Sequence, residues 1–206
     1  MSDAVPDVAR AEIVGAVRRA LAKHGYARLT TKKVAAESEK SEAFFFYHYD
    51  TKDDLVVAFL DWATERSAER LAAIDSDDPV TRLFVACDVL VGDYEDEDDR
   101  GINVAMMELL SHAPHDEAFH DRLSAYKRSV IDELAAIVSL GIESGAFRDV
   151  DPEATAAYLL MTADGTTGAV MALGMTDVGE KVRERLFDYL TSTVLADGVS
   201  PPAAFA

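Results

Sequence analysis

The chain has 206 residues, about half of them hydrophobic, and a formal net charge of −18 from 38 Asp and Glu against 20 Lys and Arg. This apolar content excludes a disordered chain by composition, and the length allows one large domain or two small ones. A strongly acidic surface suits high intracellular salt, which screens the repulsion between carboxylates. We therefore interpret the composition as halophilic, with an ordinary acidic cytosolic protein as the alternative.

Cysteine use and the N-terminus indicate the compartment. Cys87 is the only cysteine, so no internal disulfide can form, which fits a reducing cytoplasm. The first residues lack the basic and apolar segments of a signal peptide, and no stretch approaches the roughly 18 uncharged apolar residues of a membrane span. We expect a cytoplasmic protein without a membrane segment.

Helical periodicity runs through the whole chain, without β-alternation of useful length or an internal repeat. Thr30 and Ser41 are good N-caps, and Pro79 suits the first position of a helix. The acidic stretch at 93–99 is expected to be a loop. The fold class is therefore all-α, with about nine helices. They are predicted at residues 8–24, 31–37, 42–49, 52–74, 79–91, 101–112, 116–144, 152–173 and 177–196.

Charge divides the chain unevenly. Residues 1–52 contain nine Lys or Arg and seven Asp or Glu, whereas residues 53–206 contain 11 and 31. The first segment thus has a net charge of +2 and the second a net charge of −20. Local neutrality is the exception in this composition, so it points to an anionic partner at the N-terminal end.

Residues 30–52 read as two short capped helices separated by a four-residue break, which predicts a helix-turn-helix. Within the second helix, Phe45 and Tyr49 are four residues apart and share a face, so both should pack on the first helix. The run 44–49 holds too many aromatic rings for one face. We therefore expect the remaining rings to point toward a groove or toward neighbouring phosphates.

The segment GYARLTTKKVAAESEKSEAFFFYHYDTKDDL resembles the DNA-binding head of the TetR family of bacterial and archaeal transcriptional regulators, and the resemblance covers roughly residues 8–60. It implies a three-helix DNA-binding domain at 1–51 and an effector-binding and dimerisation domain at 52–200. The implied function is a homodimeric, ligand-responsive repressor that binds a palindromic double-stranded operator through residues 42–49. No enzyme activity and no cofactor are expected. The matching positions are Gly25-Tyr26, Thr30, Val34-Ala35, Ser41, Phe46 to Tyr49 and Thr51-Lys52.

Three positions depart from the family pattern. The turn usually reads Gly-Val-Ser but here reads Glu39-Lys40-Ser41, which predicts a differently shaped turn because the glycine is missing. Phe46 replaces the usual tyrosine and removes a hydroxyl. Glu42 would repel phosphates, although its carboxylate could accept a hydrogen bond from a cytosine amino group.

The resemblance implies roles for individual side chains in DNA binding. Thr30 would present its hydroxyl to phosphate, and Ala43, Phe44 and Tyr47 would approach base edges. Core packing is the alternative for each aromatic side chain, and a solvated helix face is the alternative for Lys32 and Lys33. The complete set is Thr30, Lys32, Lys33, Lys40, Ser41, Glu42, Ala43, Phe44, Phe46, Tyr47, His48 and Lys52.

The rest of the chain carries two further expectations from the resemblance. A pocket for a small hydrophobic effector would be lined by Phe59, Trp62, Phe84, Cys87, Met106, Met107, Leu110, Phe119 and Tyr126, with plain core packing as the alternative. Two C-terminal helices would form the dimer interface, with a helix buried in one subunit as the alternative. The interface set is Ala157, Leu160, Met161, Asp164, Gly165, Gly168, Ala172, Leu186, Tyr189 and Leu190.

Two other classes of function stay open. Glu39 and Glu42 would suit a protein-interaction module whose head has lost DNA binding. A small all-helical enzyme or metal-binding protein would need convergent polar groups, and no catalytic motif spacing is present. His112, His115, Asp116 and His120 invite a metal interpretation, but Pro114 interrupts the helix between them, so we predict no metal site.

Overall fold

The computed structural model describes residues 6–92 and 97–205, without side chains at 67, 68, 70–72 and 97–100. The all-α prediction is confirmed: the described residues form nine α-helices and no β-strand, apart from an isolated bridge between Phe147 and Leu195. None of these helices is long and apolar enough to cross a membrane. The helices are α1 (Asp7–His24), α2 (Thr31–Ala36), α3 (Glu42–His48), α4 (Lys52–Ala72), α5 (Pro79–Val91), α6 (Glu97–His112), α7 (Glu117–Glu143), α8 (Pro152–Leu173) and α9 (Thr176–Tyr189).

Two predicted boundaries differ from the structure. Helix α6 already begins at Glu97, so the predicted loop at 93–99 is wrong for its last three residues, while 93–96 lie outside the described residues. Helix α9 ends at Tyr189 and continues as a π-helical segment, Leu190–Val194. At the end of this segment the chain pairs with residues 146–148. The Arg148 N–H donates to the Val194 carbonyl and the Ala196 N–H donates to the Ala146 carbonyl, both at 2.9 Å.

The chain folds into two compact units. The first unit comprises Met1–Glu65 and Glu95–Tyr126, and the second comprises Arg66–Tyr94 and Lys127–Ala206, each within the limits of the described residues. These units do not follow the boundary at residue 51 that the sequence suggested. That functional division stays a prediction.

The first unit is built on the crossing of α1 and α6. A Cβ at Gly101 of α6 would lie 2.4 Å from the Ala22 carbonyl oxygen of α1, so only glycine permits this close approach. Side chains from six helices then fill one core. Its fully buried members include Ile13, Val17, Leu21, Val34, Phe45, Leu55, Leu60 and Leu109.

In the second unit, α8 packs against α5 and α9. Asp151 caps α8 by accepting from the Ala154 N–H at 3.0 Å, which satisfies one of the free amides at the helix start. Phe84 of α5 stacks on Phe187 of α9 with ring centroids 5.7 Å apart and planes inclined by 18°. Both side chains are buried.

Candidate nucleic-acid interface

Helices α2 and α3 form the predicted helix-turn-helix. The Thr30 hydroxyl caps α2 by accepting from the Lys33 N–H at 3.2 Å, as the sequence predicted. Ser41 occupies the N-cap position of α3 but makes no side-chain capping bond, and its carbonyl accepts from the Phe44 N–H at 2.9 Å. The exposed Ser41 hydroxyl is therefore not used to start the helix.

The turn between these helices closes without a glycine. Glu37 ends α2 with φ −92° and ψ 15°, and no non-glycine residue in the described ranges has a positive φ. Arg19 of α1 donates to the Glu37 carbonyl at 2.7 and 3.0 Å. The Ser38 hydroxyl donates to Glu12 at 2.8 Å and accepts from the Lys40 N–H at 2.9 Å. Side chains of α1 thus hold a turn that adopts ordinary backbone angles.

The aromatic run divides between the core and the surface. Phe45 is fully buried, and Tyr49 packs against the core of the first unit, so the predicted inward face is confirmed. Phe46 is 50% exposed and Tyr47 is 84% exposed. Helical spacing produces this division, because residues two apart lie on nearly opposite sides of a helix.

The half-buried rings support the exposed one. Phe44 and His48 meet edge to face at 5.1 Å, and His48 meets Tyr47 edge to face at 4.9 Å. Phe44 also contacts Phe45 at 5.5 Å. The exposed Tyr47 ring is therefore linked through His48 and Phe44 to the buried Phe45. We call the exposed pair Phe46 and Tyr47 the aromatic ridge of α3.

The predicted lysines differ in what their ammonium groups contact. Lys32 is exposed, and the exposed Lys40 ammonium lies 5.8 Å from the centroid of the Phe44 ring. In contrast, the Lys33 ammonium donates to the Arg28 carbonyl at 2.6 Å. The Lys52 ammonium lies 4.4 Å from the centroid of the Tyr26 ring, a cation–π distance.

Tyr26 joins the start of α4 to α6. Its hydroxyl donates to the Asp53 carboxylate at 2.9 Å, and its main-chain N–H donates to the Glu108 carboxylate at 2.5 Å. Burial and the hydrogen bond to Asp53 raise the pKa of the Tyr26 hydroxyl. The ring also meets His112 at 4.9 Å and Phe119 at 5.4 Å. Sequence reasoning missed Glu108, because no local pattern links it to a turn 82 residues away.

A polar cleft in the first unit contains two ion pairs. Arg10 makes a bidentate pair with Glu65 at 2.8 and 2.9 Å, and Arg122 lies 3.3 Å from Asp61. The hydrogen bond from Arg10 lowers the pKa of the Glu65 carboxyl. The cleft measures about 530 Å³ and is lined by Arg10, Asp61, Thr64, Glu65, Asp121, Arg122 and Ala125. None of these belongs to the predicted effector set.

The structure distributes the predicted effector residues over both units. Phe59 and Phe119 are core residues of the first unit, whereas Phe84 and Cys87 are buried in the second. Burial raises the pKa of the Cys87 thiol to about 12, so this cysteine behaves as an apolar side chain. Leu110 is exposed. The remaining members, Trp62, Met106, Met107 and Tyr126, are half-buried in the first unit.

The predicted dimer residues also separate by burial. Met161, Gly165 and Ala172 are exposed on α8, and Tyr158 and Leu173, which the sequence analysis omitted, are exposed beside them. Asp164 accepts from the Lys127 ammonium at 2.6 Å through both oxygens. Ala157, Gly168 and Tyr189 are half-buried. Leu160, Leu186 and Leu190 lie in the core of their own subunit.

The residues that invited a metal interpretation have other contacts. The Asp116 carboxylate accepts from the Phe119 N–H at 3.0 Å at the start of α7. His112 packs on Tyr26, and His120 lies 3.1 Å from Asp121. Across 6–92 and 97–205, no three His, Cys, Asp or Glu side chains are grouped for a metal ion.

Comparison with known proteins identifies the family. The family model described as bacterial regulatory proteins, tetR family, matches residues 13–59, and the model described as BetI-type transcriptional repressor, C-terminal, matches residues 81–195. The transcriptional repressor AcnR of Corynebacterium glutamicum is 26% identical over 162 residues, covering 78% of this chain and 80% of AcnR.

Solved structures agree with this assignment. A TetR transcription regulator from Haloarcula marismortui is 36% identical with a TM-score of 0.80, covering 92% of this chain and all of that one. A TetR regulator from Chloroflexus aurantiacus shares the fold at 21% identity and a TM-score of 0.75, covering 92% and 98% of the two chains. The C-terminal match alone spans more than half of the sequence. The chain therefore belongs to the TetR family and is a DNA-binding transcriptional regulator.

Proposed function

We propose that the protein is a homodimeric, ligand-responsive repressor whose α3 helices read a palindromic operator. The observation that carries this proposal is the division of α3 into two faces. Phe45 anchors one face in the core, while Phe46 and Tyr47 project from the other into solvent. Burying adjacent exposed aromatic side chains against a partner is favourable, and such a patch is typical of an interaction surface.

The exposed face of α3 offers a specific chemistry to base edges. Ala43 and Tyr47 are exposed and suit apolar contact with thymine methyl groups in the major groove. The exposed Glu42 carboxylate can accept from a cytosine amino group. We therefore expect each operator half-site to contain both a thymine and a cytosine within the few base pairs that α3 reaches.

Phosphate contacts would fix α3 in this groove. The Thr30 hydroxyl accepts from a main-chain amide and so keeps its own hydrogen for a phosphate oxygen. Lys32, Lys40 and Lys52 would add positive charge for contacts with phosphates. Lys33 contributes less, because its ammonium already donates to the Arg28 carbonyl. These contacts position the protein and carry no sequence information themselves.

Dimerisation follows from the size of α3. A seven-residue helix reaches only a few base pairs, so two copies on inverted half-sites are needed for specificity. Helix α8 supplies a surface for pairing, since Tyr158, Met161 and Leu173 are exposed along it. The small residues Gly165 and Ala172 on the same helix permit close approach of a second helix.

Repression is supported by the names of the relatives. AcnR is named a transcriptional repressor, and the matching C-terminal model is described as a repressor domain. An effector acts by binding the DNA-free conformation more tightly than the DNA-bound one. We infer a small hydrophobic effector, a cytoplasmic location and no enzyme activity.

The acidic composition and the similarity to a Haloarcula regulator support a halophilic source. Molar salt weakens binding through counterion release. Direct and water-mediated base contacts by α3 then carry a larger share of operator affinity.

A mobility shift on DNA upstream of the gene for this chain, at graded KCl, tests the proposal. Wild-type protein should retain a specific complex as salt rises, and Tyr47→Ala should lose it. Val89→Ala is the matched control, because it removes another exposed apolar side chain outside the head. A wild-type protein that binds no DNA even at low salt would favour the protein-interaction module that exposed Glu39 and Glu42 suggest.

A further inference from the structure

Phe205 supplies a third ring to the Phe84–Phe187 pair of the second unit. The C-terminal tail, residues 196–205, leaves the fold after the Ala196 N–H donates to the Ala146 carbonyl at 2.9 Å. Arg148 then pairs with Asp197 at 2.8 Å at the surface. The tail ends in a short 3-10 turn, Ala203–Phe205.

The receiving site has two levels, each made by one residue from α5 and one from α9. At the inner level, Phe84 and Phe187 stack nearly in parallel and are buried. One helical turn after Phe84 in α5 and one turn before Phe187 in α9, Asp88 pairs with Arg183, and both side chains are more than 40% exposed. The Arg183 guanidinium also lies 5.0 Å from the centroid of the Phe187 ring. The site therefore has an aromatic floor and a polar, accessible rim.

The Phe205 ring occupies this site. Its centroid lies 5.0 Å from that of Phe187 and 5.6 Å from that of Phe84, with planes inclined by 37° and 55°. These are favourable distances for aromatic pairs. Phe205 itself is half-buried, and the adjacent Ala203 and Ala204 are exposed. The ring is thus presented to the site by a segment whose residues are exposed or half-buried.

The attachment of this ring differs from that of an ordinary core residue. The Phe205 N–H donates to the Pro202 carbonyl at 2.8 Å, a bond within the tail. The C-terminal family match ends at residue 195, so the tail lies beyond the matched domain. For a group joined to its site by a short flexible linker, the effective concentration is in the millimolar range. A free compound of the same chemistry can therefore compete with it.

We propose that Phe205 is a tethered occupant of a binding site for small aromatic compounds, formed by Phe84 and Phe187, and that such compounds displace it. This inference rests on the proposed function, because it names the chemical class of the effector. The docked phenyl ring shows that the site accepts one benzene ring. Polar substituents of a ligand would meet the accessible Arg183–Asp88 pair at the rim.

Tail docking lowers the apparent affinity of a free compound, because only the fraction of molecules with an open site can bind it. The apparent affinity is the intrinsic affinity multiplied by that fraction. If the ring is docked about nine-tenths of the time, its removal raises that affinity about tenfold. Phe205→Ala should therefore bind an aromatic compound about tenfold more tightly than wild type. Ala204→Ser, which changes an exposed tail residue and keeps the ring, should match wild type.

Titration calorimetry of DNA-free protein with benzyl alcohol tests the site, with cyclohexanemethanol as a non-aromatic compound of similar size. Saturable binding of benzyl alcohol to Phe205→Ala, about tenfold tighter than to wild type and tighter than cyclohexanemethanol, supports the proposal. Equal affinity in both proteins, or no saturable binding to a folded Phe205→Ala, overturns it. Thermal melting establishes that the variant is folded.

A second measurement avoids the loss of the ring. Full-length protein with 4-fluorophenylalanine at position 205 should show a fluorine resonance that moves toward the solvent-exposed value as benzyl alcohol is added. A resonance that does not move contradicts displacement. These binding measurements hold even if the protein binds no DNA. Benzyl alcohol that binds without weakening an established operator complex would overturn the assignment of effector class.

Discussion

Helices α3 and α8 both expose large apolar side chains, but the charge around them differs. Phe46 and Tyr47 of α3 belong to the segment with a net charge of +2, which also carries the exposed Lys32 and Lys40. Helix α8 belongs to the segment with a net charge of −20, and exposes Met161 by 51% and Leu173 by 72%. Phosphates are attracted to the first surrounding and repelled by the second.

This difference in charge indicates which class of partner covers each exposed apolar surface. A patch of exposed apolar side chains indicates that a partner covers it. The charge of the residues around the patch indicates which kind of partner. Tyr47, in a segment with a net charge of +2, fits DNA, whereas α8 with small residues such as Gly165 fits another copy of the chain. Substitutions in α3 and in α8 test this contrast between a DNA surface and a pairing surface.

The sharpest contrast lies within α3 itself, between Phe45 and Tyr47. Phe45→Ala should lower the free energy of unfolding by about 3–5 kcal/mol, because it leaves a cavity in a packed core. Tyr47→Ala should change it by less than about 0.5 kcal/mol, because the ring is in solvent. Denaturant unfolding of both variants measures the difference. Similar losses in the two variants would show that the aromatic ridge is not free for a partner.

Gly165→Leu should prevent two copies of the chain from pairing through α8. An added Cβ at Gly165 meets no atom within 4 Å, so the subunit accommodates the larger residue, and loss of a helical glycine favours folding. A second helix could no longer approach closely. We expect a monomer in analytical ultracentrifugation and an operator affinity lower by about 100-fold or more. Ala136→Leu, at an exposed position of α7, is the control. A Gly165→Leu protein that stays dimeric would remove α8 from the interface.

Lys52→Ala should lower the affinity for DNA and its dependence on salt. Loss of one phosphate contact weakens binding to all DNA sequences about equally and lowers the slope of log affinity against log salt by about 1. Lys181→Ala makes the same change in net charge on α9, where Lys181 is exposed. Its salt slope should equal that of wild type. Equal slopes for both variants would contradict a phosphate contact by Lys52.

The smallest effect concerns the Arg10–Glu65 pair. Arg10 lowers the pKa of Glu65 in the folded protein below its value of 4.5 in the unfolded chain. The pair therefore contributes stability above pH 4.5, and this contribution is lost as pH falls through the lower folded-state pKa. More than half of the Glu65 side chain is exposed, so we expect less than about 1 kcal/mol. The difference in melting temperature between wild type and Glu65→Gln should shrink on acidification, relative to that of Glu180→Gln. A constant difference would contradict the pair.

Local patterns predicted the head better than the rest of the chain. The spacing of Phe45 and Tyr49 is enough to assign the inner face of α3, because helical periodicity fixes which side chains lie together. The Thr30 cap follows from residue type in the same way. Both features depend only on residues within a few positions of one another.

Features that depend on distant residues were not predictable. Nothing near Glu108 in the sequence indicates that its carboxylate holds the turn at Tyr26, and nothing near Phe205 indicates the ring pair that receives it. Leu160 was assigned to the dimer face, yet it is buried in its own subunit, because a helix that is apolar on several sides does not reveal which side faces inward. Tertiary packing decides these cases.

Selection of bound sequences from random DNA tests the central claim most directly, using wild type and Tyr47→Ala side by side. Wild type should enrich two inverted half-sites whose centres lie about 10 base pairs or a multiple apart, and Tyr47→Ala should lose the preference at defined positions in both halves. Enrichment of no sequence, or of the same sequence by both proteins, would contradict recognition by the exposed face of α3.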